Sequence, residues 1–141
     1  MDPANVENLS ILRLFKIIAW ISIPTVMYGG YVLLGFLSRG KLSAFQLTNF
    51  RAGHAHAGVL LLMSLLYLQF MEQTSLNSGV KLITATALVI GVLMQSGGFF
   101  LHLLRGQPGT PSWGTRMTMI GAVILATAIL VLVYGLFITY F

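Results

Sequence analysis

Four apolar stretches, separated by short polar connections, constrain this chain more than any other feature of its sequence. They cover residues 17–37, 53–71, 82–104 and 117–141. Each has about the 20 residues that a helix needs to cross the hydrocarbon core of a bilayer. Backbone inside lipid must satisfy its own polar groups, and a helix does so. The sequence therefore predicts an all-α fold, an integral membrane four-helix bundle that forms a single domain over residues 1–141.

The short connections predict that consecutive helices are antiparallel neighbours with up-down connectivity. Pro24 lies inside the first stretch and predicts a kink there. The second stretch is the shortest, and Ser43 is a candidate N-cap that would start its helix earlier. A short interfacial helix before residue 53 is the alternative. On the fourth stretch, the small residues Thr118, Ala122 and Ala126 predict a packing seam.

Composition agrees with a membrane protein and excludes several other classes. Of the 141 residues, 57% are hydrophobic and 8% are charged, whereas soluble domains are about 25% charged. The chain has no cysteine, which excludes disulfides and thiolate metal sites. The formal charge of +5 comes from residues at the ends of apolar runs and predicts no nucleic-acid binding. The first apolar stretch is longer than a signal h-region, so we expect it to be retained.

The distribution of charge predicts an orientation. The connections after the first and third stretches carry only basic residues, and the opposite end of the bundle carries fewer basic residues together with every acidic one. The positive-inside rule therefore predicts that the basic connections are cytoplasmic and that both termini are outside. The basic end has Arg39, Lys41, Arg51, Arg105 and Arg116, and the opposite end has Arg13, Lys16 and Lys81 with Asp2, Glu7 and Glu72.

The three histidines are predicted to lie near the same membrane face and at similar depth. His54 and His56 start the second stretch on the basic side, and His102 ends the third stretch on that side. Arg51 precedes His54 by one turn, and Arg105 follows His102 by one turn. Residues two apart on a helix point about 200° apart, so His54 and His56 cannot face one point.

Small and polar residues around the histidines extend this candidate site. Gly58, one turn from His54, would leave room for a flat group, which favours His54 over His56 as the inward-facing residue. On the third helix, Gln95, Gly98, His102 and Arg105 share one face. Such a stripe in a membrane helix faces protein or a cavity rather than lipid.

Three interpretations of this cluster remain open. A b-type haem would take imidazoles from two helices, small residues beside the ring and arginines near the propionates. A copper or zinc ion would take His54, His56 and His102, although two residues apart is poor ligand spacing on one helix. The third interpretation is that no cofactor binds and that the histidines are interfacial polar residues.

The segment FRAGHAHAGVLLLMSLLYL, about twenty residues long, resembles the RxxHxH-type helix starts of the haem–copper oxidase superfamily and related haem membrane proteins. This resemblance implies a haem-related role for His54, His56 and His102. The chain has too few helices and histidines for the binuclear centre of that superfamily. The whole chain is also similar to small four-helix bacterial membrane proteins, with GHAHAGVL early and GGFFLH later, which implies a bacterial cytoplasmic membrane location.

The functional prediction is a membrane protein that binds haem b or a metal ion for electron transfer or cofactor handling. Two alternatives belong to other classes: a non-catalytic subunit of a larger membrane complex, and a small oligomeric transporter or channel. No catalytic residues are predicted, because the sequence offers no Ser-His-Asp set, paired carboxylates or phosphate loop.

Overall fold

The computed structural model describes the backbone of residues 3–141 and the side chains of residues 10–141. Asp2 and the side chain of Glu7, which entered the charge comparison, lie outside this part. The described chain is all-α, which confirms the predicted fold class. Its four helices are α1 (Pro3–Ser38), α2 (Ala44–Gln73), α3 (Ser78–Arg105) and α4 (Trp113–Tyr140).

All four helices are long and apolar enough to cross a membrane. The shortest have 28 residues, a length of about 42 Å at 1.5 Å per residue. This length matches a bilayer with its headgroup regions, which is about 40–45 Å thick. The architecture thus supports an integral membrane protein. The orientation of the termini stays a prediction.

The helices extend beyond the apolar stretches because polar caps start three of them. Ser43 is the N-cap of α2: its side chain accepts from Gln46 N, and Gln46 Oε1 accepts from Ser43 N at 3.0 Å. This reciprocal capping box makes residues 44–52 part of α2 rather than a separate interfacial helix. Asn77 caps α3 by accepting from Val80 N, without a capping box, and Ser112 caps α4 through a second capping box.

The helices α2 and α3 form the central pair of the bundle. Helix α1 packs against both of them on one side, and α4 packs against both on the other. Within the described residues, the backbones of α1 and α4 do not approach each other. Pro24 lies inside α1, and the helix continues beyond it to Ser38. The core between the helices is formed by apolar side chains that include Leu12, Leu60, Leu68, Met71, Ala85, Leu88, Leu125 and Ala128.

The closest helix pair is α3 and α4, whose backbones meet at glycines. A Cβ atom on Gly98 would clash with Thr118 and would lie 2.6 Å from the carbonyl oxygen of Gly114. A Cβ atom on Gly121 would lie 2.9 Å from the carbonyl oxygen of Gly91. We call Gly91, Gly98, Gly114 and Gly121 the glycine seam. Its members are seven residues apart on each helix, the period of left-handed packing.

The glycine seam corrects the prediction for the fourth helix. Ala122 and Ala126 are exposed, so they do not contribute to packing within the chain. Thr118 does face α3, where its hydroxyl donates to the carbonyl oxygen of Gln95 at 3.4 Å. The small-residue rule was right in kind. The predicted residues were wrong: small residues four apart were expected at the contact, whereas Gly114 and Gly121, seven residues apart, form it.

Candidate functional site

His54 lies between α2 and α1. Its imidazole abuts two consecutive glycines of α1: a Cβ atom on Gly29 would lie 3.5 Å from Nδ1, and one on Gly30 would lie 3.1 Å from Nε2. The Phe50 ring is 6.4 Å from the imidazole, between centroids. The two glycines therefore let a half-buried imidazole rest directly on the α1 backbone.

A cleft of about 350 Å³ opens between α1 and α2 beside this imidazole. Gly58, one turn after His54, lies on its α2 wall, and a Cβ atom there would be 3.8 Å from Val26 Cγ1. Among the described residues that line the cleft, His54 is the one titratable side chain. The lining residues are Ile23, Val26, Met27, His54, Ala55, Gly58, Val59, Leu61 and Leu62. The structure thus brings together His54 and Gly58, the pair that the sequence favoured.

His56 faces α3 instead. Its ring centroid is 4.8 Å from that of Phe99, and its Nδ1 is 2.8 Å from the carbonyl oxygen of Ala52. A carbonyl oxygen only accepts, so Nδ1 carries the proton and Nε2 carries the lone pair in the neutral ring. This tautomer is the one that second-shell carbonyls impose on metal-binding histidines. The opposed directions of His54 and His56 agree with the prediction that they cannot face one point.

His102 lies at the junction of three helices. Its ring packs edge-on against Phe45 at the start of α2, with 5.1 Å between centroids. Its Nδ1 is 2.7 Å from Ser112 Oγ. Ser112 is the N-cap of α4 and accepts from the N–H groups of Gly114 and Thr115. His102 therefore connects the ends of α2, α3 and α4 that meet there.

The α2–α3 contact shows how far apart His54 and His102 lie along the helices, because a Cβ atom on Gly53 would lie 3.0 Å from Phe99 Cβ. His54 follows Gly53 by one residue and His102 follows Phe99 by three, so in antiparallel helices the two histidines are about 6 Å apart along the bundle axis. The helix α2 begins at Ala44 rather than near residue 53, so His54 lies well inside it, and the similar depth of the three histidines stays a prediction.

The polar stripe of α3 faces α4. Gly98 is buried against Gly114 and Thr118, so α4 fills the space that was predicted for a cofactor. The backbone of Gln95 lies against Gly121, and its carbonyl oxygen accepts from Thr118. This stripe was predicted to face either protein or a cavity. At Gln95 and Gly98 it faces protein, namely α4.

The two arginines of the candidate site are apart. Arg51 is exposed on α2, one turn before His54 on the same helical face. Arg105 is exposed at the end of α3 and lines an open groove with Trp113 and Pro111. Each arginine lies one turn from its histidine. The Arg51–His54 pair and the Arg105–His102 pair are separate from each other at the basic end.

The three histidines do not converge. His54 faces α1, His56 faces α3 and His102 faces the start of α4. In residues 10–141, no three side chains of histidine, aspartate or glutamate form a group that could hold a metal ion. The structure therefore gives no support to a three-histidine metal site.

A polar network at the opposite end of the bundle was missed by the sequence analysis. Lys16 on α1 donates to Glu72 Oε2 on α2 at 2.6 Å and to Gln69 Oε1 at 3.0 Å. Lys81 is only 8% exposed and donates to the carbonyl oxygens of Glu72 at 3.1 Å and Thr74 at 2.7 Å. The antiparallel order places the start of α1 beside the end of α2, so opposite charges at those positions were an available signal.

Comparisons with protein-family models, with curated proteins and with solved structures found no match to the chain.

Proposed function

We propose that this chain is an integral membrane protein that binds a flat, largely apolar cofactor of the haem b class in the cleft between α1 and α2. His54 is the residue that would bind its iron, and electron transfer is the proposed role. The observation that carries the proposal is the lining of the cleft: one imidazole, a glycine one turn away, and otherwise apolar side chains.

The chemistry of the lining fits such a group. A porphyrin needs apolar walls for its faces and an imidazole nitrogen for its iron. The backbone at Gly58 leaves the α2 wall open beside Val26, where a larger side chain would occupy the cleft. Arg51 lies one turn closer to the basic end on the same face of α2, where its guanidinium can meet a carboxylate.

Ligation requires one local movement. Both ring nitrogens of His54 now lie against Gly29 and Gly30 of α1. Rotation of the ring about its side-chain bonds would turn Nε2 from α1 towards the adjacent cleft. When bound, the haem iron supplies the one-electron chemistry, and the protein contributes the ligand, the apolar surroundings and the position within the bilayer.

His102 has a different role in this proposal from the one that the sequence predicted. Its Nδ1 is engaged with Ser112, and its ring packs on Phe45, away from the cleft. It therefore makes a matched control for His54: both are half-buried histidines in the half of the bundle that carries the basic connections.

The test is a visible spectrum of the purified protein, oxidised and reduced, after expression in haem-supplied cells or after titration with haemin. We expect a Soret band that shifts on reduction, together with a stoichiometric haem content. His54→Ala and Gly58→Leu should both lose the bound haem, the first by removing the ligand and the second by filling the cleft.

Two control variants separate these effects from general damage. His102→Ala should retain the Soret band, and so should Gly35→Leu, because Gly35 has open space beside it. A wild-type sample that retains no haem, and whose spectrum with haemin is that of free haemin, would refute the proposal. Equal haem loss in His54→Ala and His102→Ala would refute the assignment of His54 to the cleft.

A further inference from the structure

We infer that the groove between the end of α3 and the start of α4 binds the headgroup of an anionic phospholipid, with Arg105 as the residue that holds the phosphate. This inference does not depend on the proposed function, because the groove is separate from the cleft between α1 and α2. It assigns a ligand to a part of the chain that the proposed cofactor does not use.

The position of the groove along the helices places it at the membrane interface. Arg105 is the last residue of α3, and Trp113 is the first residue of α4. Both line the groove, which has a volume of about 620 Å³. Because α3 and α4 are each long enough to cross the bilayer with its headgroup regions, their ends lie where the phosphates of phospholipids are found. The groove is therefore at the right depth for a headgroup.

The charge of Arg105 is not neutralised by an acidic side chain near the groove. The sequence has no aspartate or glutamate after Glu72. Glu72 lies at the opposite end of the bundle, where it forms an ion pair with Lys16. The other residues that line the groove are uncharged: Leu101, Pro111, Ser112, Trp113 and Gly114. A counter-ion for Arg105 must therefore come from outside the described residues, and lipid phosphate is the anion available at that depth.

Trp113 forms an aromatic wall of the groove, and a second arginine restrains it. The guanidinium carbon of Arg116, one turn later on α4, is 5.5 Å from the centroid of the Trp113 ring, which is a cation–π contact. This contact keeps a second positive charge beside the groove. An indole suits the membrane interface, because its ring is apolar while its N–H donates to polar groups. The groove thus combines positive charge with an apolar surface, as a phospholipid headgroup region requires.

Side chains, rather than the backbone at the start of α4, supply the donors for the phosphate. Ser112 already accepts from the N–H groups of Gly114 and Thr115. The Arg105 guanidinium has a planar fork of N–H groups that matches two oxygens of one phosphate. Leu101 precedes Arg105 by one turn on α3 and lines the same groove, so it lies deeper in the membrane, on the side of the acyl chains.

Net charge distinguishes an anionic lipid from a zwitterionic one at this groove. The headgroup of phosphatidylcholine carries an ammonium group beside its phosphate, and Arg105 and Arg116 would repel that cation. Phosphatidylglycerol has the phosphate without the ammonium group. Attraction between one basic residue and an anionic membrane surface corresponds to about a fivefold change in binding. We therefore expect a preference of about fivefold or more for phosphatidylglycerol.

The experiment measures how strongly brominated lipids quench the fluorescence of Trp113 in reconstituted vesicles. The chain has two tryptophans, and Trp20 lies on α1, away from the groove. The full chain with Trp20→Phe is therefore the reference protein, in which Trp113 is the remaining indole. Brominated phosphatidylglycerol and brominated phosphatidylcholine are compared at equal mole fractions in otherwise identical mixed vesicles. We expect phosphatidylglycerol to associate with the Trp113 region about fivefold or more strongly.

Two further variants of the reference protein test the role of Arg105. Arg105→Gln should lower the preference about fivefold. Arg39→Gln removes the same charge at the same end of the bundle but outside the groove, so it should keep the preference. Equal losses in both variants would overturn the inference, because they would show an effect of general surface charge.

Two results with the reference protein alone would also overturn the inference. One is equal quenching by the two lipids, which remains decisive if Arg105→Gln does not fold. The other is loss of the preference when inorganic phosphate is added at constant ionic strength, because the groove would then be a site for free phosphate rather than for lipid.

Discussion

The hydroxyl oxygen of Ser112 lies 2.7 Å from Nδ1 of His102 while it accepts two backbone N–H groups at the start of α4. Both lone pairs of the hydroxyl are thereby used, so its hydrogen donates to Nδ1. Nδ1 must then be unprotonated, and neutral His102 carries its proton on Nε2. His56 has the opposite tautomer, because its Nδ1 donates to Ala52. Their hydrogen-bond partners thus give these two histidines different chemistry.

Loss of the Ser112 hydroxyl should destabilise the end of α4. Ser112→Ala removes an N-cap and leaves His102 Nδ1 without its donor, so we expect a loss of about 1 kcal/mol. The measurement is chemical or thermal unfolding in detergent micelles, with ¹⁵N NMR of His102 to read its tautomer. Thr110→Ala in the same connection is the control, since its exposed hydroxyl donates only to Gln107. Equal stability of the two variants would contradict this account.

The glycine seam should not accept even a methyl group. In Gly98→Ala the new Cβ would meet the α4 backbone, so we expect a loss of about 1–3 kcal/mol from overpacking. Gly35→Ala is the matched control, because nothing lies within 4 Å of the added atom. That variant should be neutral or gain about 0.5–1 kcal/mol from helix propensity. Unfolding of both variants in the same micelles measures the difference in their stability. A destabilised Gly35→Ala together with an unaffected Gly98→Ala would contradict the claim that the α3–α4 contact requires glycine.

Lys81 should contribute more to stability than an exposed lysine. In Lys81→Met the last carbonyl groups of α2 at Glu72 and Thr74 lose their donor, and buried unsatisfied acceptors cost about 1–3 kcal/mol. The control is Lys41→Met, which removes an equal charge from an exposed position at the opposite end. Surface charges away from such contacts change stability within about 0.5 kcal/mol. A difference below that value between the two variants would show that Lys81 does not hold the α2 end.

The phenol of Tyr67 makes a hydrogen bond across the bundle, from its hydroxyl to the carbonyl oxygen of Ala128 at 3.1 Å. Tyr67→Phe should therefore lose about 0.6 kcal/mol, the average of such bonds in membrane proteins. Tyr134→Phe serves as the control because its ring is exposed. Because this bond ties α2 to α4, the amide hydrogens near Ala128 should also exchange faster in the Tyr67→Phe variant than in the wild type. An unchanged exchange rate there would argue that the bond does not restrain the pair.

The number of helices and their class could be predicted because each follows from local sequence. An apolar stretch of about 20 residues is sufficient to identify a candidate span. The starts of the helices depended on caps, and Ser43 was identifiable because its hydroxyl and Gln46 form a recurrent motif. The early start of α2 then placed His54 well inside that helix rather than at its first turn. The ends of an apolar stretch show where the lipid-facing segment ends. They do not show where the helix itself begins or ends.

The partners of the site residues could not be predicted in the same way. Periodicity showed that Gln95 and Gly98 share a face of α3, but it could not show that α4 covers that face. The pairing of α3 with α4 depends on glycines at matching heights on both helices, which is a relation between two elements. The contact of His54 with Gly29 and Gly30 is of the same kind. By contrast, the link between His54 and Gly58 lies within one helix and was predicted.

The placement of α1 and α4 on opposite sides of the central pair has a consequence for rearranging the gene. The start of α1 and the end of α4 lie at the same end of the bundle, yet α2 and α3 separate them. A circular permutant that joins these ends needs a linker across about two helix diameters, or about 20 Å. Extended chain spans at most about 3.5 Å per residue, so about six residues are the minimum. New termini in the connection at residues 39–43 would then make α1 the last helix to be synthesised, after the pair it packs against.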